Sequence, residues 1–161
     1  MKVSVLLLWL CFSFVLGVTL PVGPHGNIQC AIDESGTYEI TVNNQLWFVS
    51  SNSSLHTQHT WFVAGADTNP LEITNFMSSH GSDPQLGRYN SVELTYLAND
   101  ISFVVSWIVY EKHPIIEFVQ QFPQGAPETS LHDPFQVVSS FPSFSLESTT
   151  ALSEMSYLTW Q

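Results

Sequence analysis

Thr37-Tyr38-Glu39-Ile40-Thr41-Val42 alternates polar and apolar positions, with Tyr38, Ile40 and Val42 on one side and Thr37, Glu39 and Thr41 on the other. A period of two is the pattern of a half-buried β-strand. Asn43-Asn44 follows, and asparagine tolerates the left-handed backbone of a tight hairpin, so the chain is expected to turn there and return through Gln45 to Ser50. Thr60 to Ala64 and Leu71 to Phe76 are short apolar runs separated by a polar loop over residues 65–70. Val92 to Tyr96 alternates again, Asn99-Asp100 supplies a turn, and Ile101 to Tyr110 places Ile101, Phe103, Val105, Trp107 and Val109 on one face. Its other face carries Val104, Ile108 and Tyr110 among serines, which predicts a central strand covered on both sides. Ile115 to Phe122, Phe135 to Ser140, Phe144 to Leu146 and Met155 to Trp160 bring the total to about ten segments at the spacing of sandwiches and barrels. Ser148 to Met155 has room for a turn or two of helix, but its Ser and Thr content disfavours one. The expected fold class is all-β, an antiparallel β-sandwich of short strands.

The sandwich does not begin at residue 1. Met1 and Lys2 precede the uncharged, apolar run Val3 to Leu16, and Val15 and Gly17 occupy the −3 and −1 places of a cleavage site. Residues 1–17 read as a secretory signal peptide, because Pro21, Gly23 and Pro24 arrive too soon for a spanning helix of about 20 apolar residues. Residues 18–161 then form one domain, and the expected location is secreted and extracellular, with no membrane span. The chain stops at Gln161 directly after the apolar pattern Tyr157 to Trp160, as expected of a domain truncated at its C-terminus.

Charge narrows the partners. The 161 residues hold 3 Lys and Arg against 14 Asp and Glu, a net charge of −11, so nothing here neutralises a row of phosphates and nucleic acid is excluded as a main partner. Cys11 lies in the leader, which leaves Cys30 alone. It is read as a buried, inert thiol; the alternative is a disulfide partner on another chain or on a C-terminal part beyond Gln161. Asn52-Ser53-Ser54 is the sole N-glycosylation sequon and lies in a Ser/Asn-rich run suited to an exposed turn.

Candidate chemistry is sparse. His56 and His59, three apart and read as loop residues, would need a carboxylate such as Asp67 to hold zinc, and plain surface histidines are the commoner reading, so no metal or cofactor is expected. There is no nucleophile elbow and no phosphate loop. The carboxylate pair of a glycosidase is defined by separation in space, so no catalytic residue can be named. Trp47, Trp61, Trp107 and Trp160, with Tyr89, Tyr96 and Tyr110, include candidates for stacking on a sugar. Trp107 belongs to the core by its place in an apolar strand; Trp61, beside a polar stretch, and Tyr89 are the candidate carbohydrate contacts.

The stretch Gly81-Ser82-Asp83-Pro84-Gln85-Leu86-Gly87-Arg88-Tyr89-Asn90-Ser91 resembles the Gly-Ser-Asp, Leu-Gly-aromatic-x-Ser pattern in the N-terminal β-sandwich of glycoside hydrolases of the α-galactosidase and raffinose-synthase kind. Residues 36–47, 115–125 and 139–144 resemble further segments of that domain in the same order. The resemblance implies a module, not catalytic by itself, that supports a sugar site built in a following barrel; it carries over no catalytic residue. Its implied partners are carbohydrate, the missing catalytic domain, or a second copy meeting an uncovered apolar face. Two alternatives remain: a free-standing, lectin-like extracellular module, and a structural protein paired through Cys30.

Overall fold

The computed structural model describes residues 17–131 and 137–145. Twelve strands follow one another: β1 (Gly17–Val22), β2 (Ile28–Asp33), β3 (Tyr38–Val42), β4 (Gln45–Ser50), β5 (Ser54–Thr57), β6 (Thr60–Val63), β7 (Glu72–Asp83), β8 (Gly87–Ala98), β9 (Ile101–Tyr110), β10 (Ile116–Gln121), β11 (Ser139–Ser140) and β12 (Phe144–Ser145). They form three antiparallel sheets, ordered β1-β2-β3-β4-β12, β10-β9-β8-β7 and β11-β5-β6. Residues 1–16 of the expected signal peptide, the helical turn disfavoured near Ser148 and the strand pattern at Met155 to Trp160 lie outside the described residues, as does the start of the Phe135 to Ser140 pattern, whose last two residues form β11.

The first two sheets face each other, and the alternation that defines each strand supplies the core. Leu20, Val22, Cys30, Ile32, Tyr38 and Ile40 project from one sheet; Val92, Leu94, Tyr96, Phe103, Val105, Trp107 and Val109 project from the other. Tyr38 and Trp107 meet edge to face at 5.4 Å between ring centres, and Phe118, Phe141 and Phe144 complete an aromatic cluster around Tyr38. Tyr38 Oη donates to the Ser143 carbonyl (2.8 Å) and accepts from Ser143 N (3.1 Å), so the core residue also anchors the C-terminal segment. Burial pushes that hydroxyl above its ordinary pKa. Leu55 and Phe62 extend the core into the three-stranded sheet.

The hairpin at Asn43-Asn44 forms as expected, both residues having positive φ (51° and 61°), and Asn99 (58°) turns β8 into β9. β9 lies between β10 and β8, the central position its two apolar faces predicted. Trp107 is fully buried, as expected of its place in that strand. Two elements differ from expectation. The run from Leu71 is the start of a twelve-residue strand, β7, which pairs with β8 as far as Asp83↔Gly87. β7 is an edge strand exposed at most positions, so few of its side chains need be apolar and the pattern understates it. β5 occupies the stretch read as loop, with His56 buried on it rather than exposed.

Candidate functional site

Tyr89 lies on the long β7–β8 hairpin, on the face of its sheet turned away from the five-stranded sheet. It stands opposite Gly81 across the ladder, and its phenol occupies the space above that residue: a Cβ on Gly81 would collide with Tyr89 Oη. On the other side Tyr89 pairs with Tyr110, the rings T-shaped at 5.8 Å. Tyr110 Oη donates to Glu117 Oε2 at 3.0 Å. Burial, followed by the Glu117 acceptor and its charge, pushes the Tyr110 hydroxyl up to about 12. The result is a half-buried phenol backed by a fixed aromatic edge, with the carboxylate of exposed Glu117 on the same face. An aromatic face takes the C–H side of a sugar ring, and a carboxylate accepts from its hydroxyls.

The rest of the Gly81–Ser91 pattern builds the hairpin that carries Tyr89. Asp83 Oδ1 accepts from Gln85 N (2.7 Å) and Leu86 N (2.8 Å), which closes the turn and holds the carboxyl below its ordinary range. That direction is opposite to what a glycosidic general acid requires. Gly87 adopts φ 83° where the chain enters β8, and the Ser79 and Ser91 hydroxyls share a hydrogen bond of 2.8 Å across the ladder.

Trp61 is on a different sheet and makes no ring contact with Tyr89. Gln58 and His59, with φ of 49° and 59°, form a two-residue turn that sets Trp61 opposite His56. The two rings pack at 5.1 Å; Trp61 is 39% exposed and His56 is buried. Part of the Trp61 side chain is therefore open to solvent. His59 points into solvent toward Glu128, Nε2 to Oε2 3.6 Å, and Asp67 sits in an exposed loop. Among the described residues no three His, Cys, Asp or Glu side chains come together as a metal site. Cys30 is fully buried in β2, and burial pushes its thiol up to about 12.

A cleft that sequence reasoning missed lies where three turns meet. Ser35-Gly36-Thr37 between β2 and β3, Ser50 to Ser53 between β4 and β5, and Ala64-Gly65 after β6 enclose about 240 Å³, with Ile73 and Tyr96 as further walls. Asn52 is exposed at its rim. Neither Asp33 nor the exposed Glu34, the two carboxylates just before Ser35, lines the cleft, and Asp33 is occupied by the amides of Ser35 (2.9 Å) and Thr37 (3.0 Å) and by the Ser35 hydroxyl. The lining is therefore neutral and rich in hydroxyls. Its contributors are spread over some sixty positions, so only the Ser/Asn-rich run at 50–54 marked it in the sequence. Comparison of the chain with protein-family models, curated proteins and solved structures returns no match.

Proposed function

We propose that this chain is a secreted, non-catalytic β-sandwich module of a carbohydrate-active, α-galactosidase-like hydrolase, and that Tyr89 is its contact to sugar. The observation that supports the reading most is the use made of the Gly81–Ser91 pattern. Four residues of that pattern have a geometric task in one hairpin: Gly81 admits the Tyr89 ring, Asp83 caps the turn, Gly87 takes positive φ, and Ser91 ties the ladder. The hairpin holds one aromatic face in fixed orientation beside Glu117, an arrangement suited to positioning sugar next to a catalytic domain rather than to cleaving it. Retaining and inverting glycosidases need two carboxyl groups about 5–5.5 Å or 6.5–9.5 Å apart across the scissile bond, and the resemblance assigns both to the barrel.

The exposed Trp61 favours a second reading, a free-standing lectin-like module that stacks sugar on the β5–β6 hairpin. One experiment separates them. The chain is titrated with an α-galactosyl oligosaccharide and assayed on an aryl α-galactoside, alongside Tyr89→Ala and Trp61→Ala. The first reading expects no turnover and binding lost with Tyr89→Ala; the second expects binding lost with Trp61→Ala. Turnover abolished by changing a single carboxylate refutes the non-catalytic assignment.

A further inference from the structure

Asn52 is both the acceptor of the only sequon and a wall of the hydroxyl-lined cleft. We propose that Asn52 carries an N-linked glycan whose first sugar ring seats in that cleft. The inference rests on the secretory reading of residues 1–17 and is independent of the role given to Tyr89.

The cleft has the chemistry of a sugar seat. At about 240 Å³ it is smaller than the roughly 300–1,000 Å³ of sites for drug-sized ligands, a size for a single ring. Ser50 and Ser51 offer side-chain hydroxyls, Ser35 and Thr37, whose hydroxyls share a bond of 2.9 Å beside Asp33, offer acceptor lone pairs, and no charged residue is in the lining. Ser50 Oγ accepts from Tyr38 N (2.9 Å) and retains its own proton to donate. Ile73, 38% exposed, provides an apolar patch for the C–H face of the ring. Gly65 at the cleft wall has open space where a side chain would stand. Because Asn52 is tethered at the rim, the first sugar is held at high effective concentration, and weak contacts suffice to seat it.

In the modification, Asn52 Nδ2 bonds to the anomeric carbon of a lipid-linked oligosaccharyl diphosphate. The carbon–oxygen bond to the diphosphate breaks, the lipid diphosphate departs with the bonding electron pair, and the amide nitrogen loses one proton. The structure also dates this step. In the folded chain Ser53 is buried and the Ser54 hydroxyl shares a bond of 2.9 Å with Ser140 Oγ, so two sequon residues are engaged and transfer must precede folding.

The test uses the full chain secreted from a eukaryotic host, once with its own residues 1–17 and once with a proven leader ahead of Val18. The expected product carries one glycan, whose removal by peptide N-glycosidase converts Asn52 to Asp. Removal from the native protein should be about tenfold slower than from the denatured one, the ratio that about 1.4 kcal/mol of seating contacts gives. Ile73→Ser and, separately, Ser35→Ala should speed native removal at unchanged occupancy and unchanged circular dichroism. A glycan present only with the proven leader refutes residues 1–17 as a signal and supports the site. Secreted chain without glycan on Asn52 overturns the modification. Native removal as fast as denatured removal, or indifferent to both substitutions, overturns the seating.

Discussion

Replacing Gly36 with alanine should destabilise the sandwich markedly more than the same change at Gly65, although both glycines hold positive φ (81° and 74°) and both line the Asn52 cleft. Alanine in the left-handed region costs roughly 1–2 kcal/mol, and the entropy removed from the unfolded chain is the same for both substitutions. These contributions cancel in the comparison. The surroundings do not: a Cβ at Gly65 meets open space, whereas one at Gly36 collides with Tyr96 Oη, a fully buried phenol reaching across from the facing sheet. The Tyr96 ring must then shift among the buried side chains it packs against, and overpacking a close-packed core costs about 1–3 kcal/mol. At roughly 2–4 °C per kcal/mol for a domain near this size, Gly36→Ala should melt about 2–12 °C below Gly65→Ala. Thermal and urea unfolding followed by near-ultraviolet circular dichroism and tryptophan fluorescence measure the difference. Equal stabilities for the two variants would show that Tyr96 does not pack against the β2–β3 turn, and the packing of the two sheets as described would be wrong.

Tyr38→Phe removes the hydroxyl that both donates to and accepts from Ser143, and should cost about 1–3 kcal/mol by the same unfolding assays, since the Ser143 amide and carbonyl lose a partner. Cys30 should resist a thiol reagent in the native protein at neutral pH and react fully in denaturant. Its raised pKa also sets a sign. Below the unfolded value of about 9 both states hold the proton and the stabilisation is complete; from there to about 12 only the unfolded chain releases it, so stability should fall across that window in alkaline unfolding titrations. Zinc at stoichiometric concentration should not survive dialysis, because His56 is buried and His59 points to solvent; metal retained by the wild type and lost in His59→Ala would contradict this.

Which elements were legible follows from where their burial lies. β3 and β9 bury alternate side chains against the facing sheet, and their period of two reads directly from Tyr38-Ile40-Val42 and from Ile101 to Val109. β7 escapes because an edge strand exposed on both faces has no reason to alternate. β5 escapes because Ser54-Leu55-His56-Thr57 buries a histidine and a threonine, and Thr57 gains its place by donating to the Pro127 carbonyl (2.6 Å), a partner seventy positions away. The same logic applies to the sites. Trp61 and Tyr89 are visible as aromatics flanked by polar residues, but the Gly81 seat and the Tyr110–Glu117 pair behind Tyr89 come from three other strands, β7, β9 and β10. The Asn52 cleft, assembled from turns, has no period at all.

The central claim, a sandwich that presents sugar through Tyr89 and leaves catalysis elsewhere, is tested most directly by titrating the isotopically labelled chain with an α-galactosyl oligosaccharide and following its amide resonances. The account predicts saturable shifts confined to Gly81, Arg88, Tyr89, Tyr110 and Glu117, abolished in a folded Tyr89→Ala variant, with the oligosaccharide recovered intact. Shifts centred on Trp61, no shifts with any sugar offered, or hydrolysis of the ligand during the titration would contradict it.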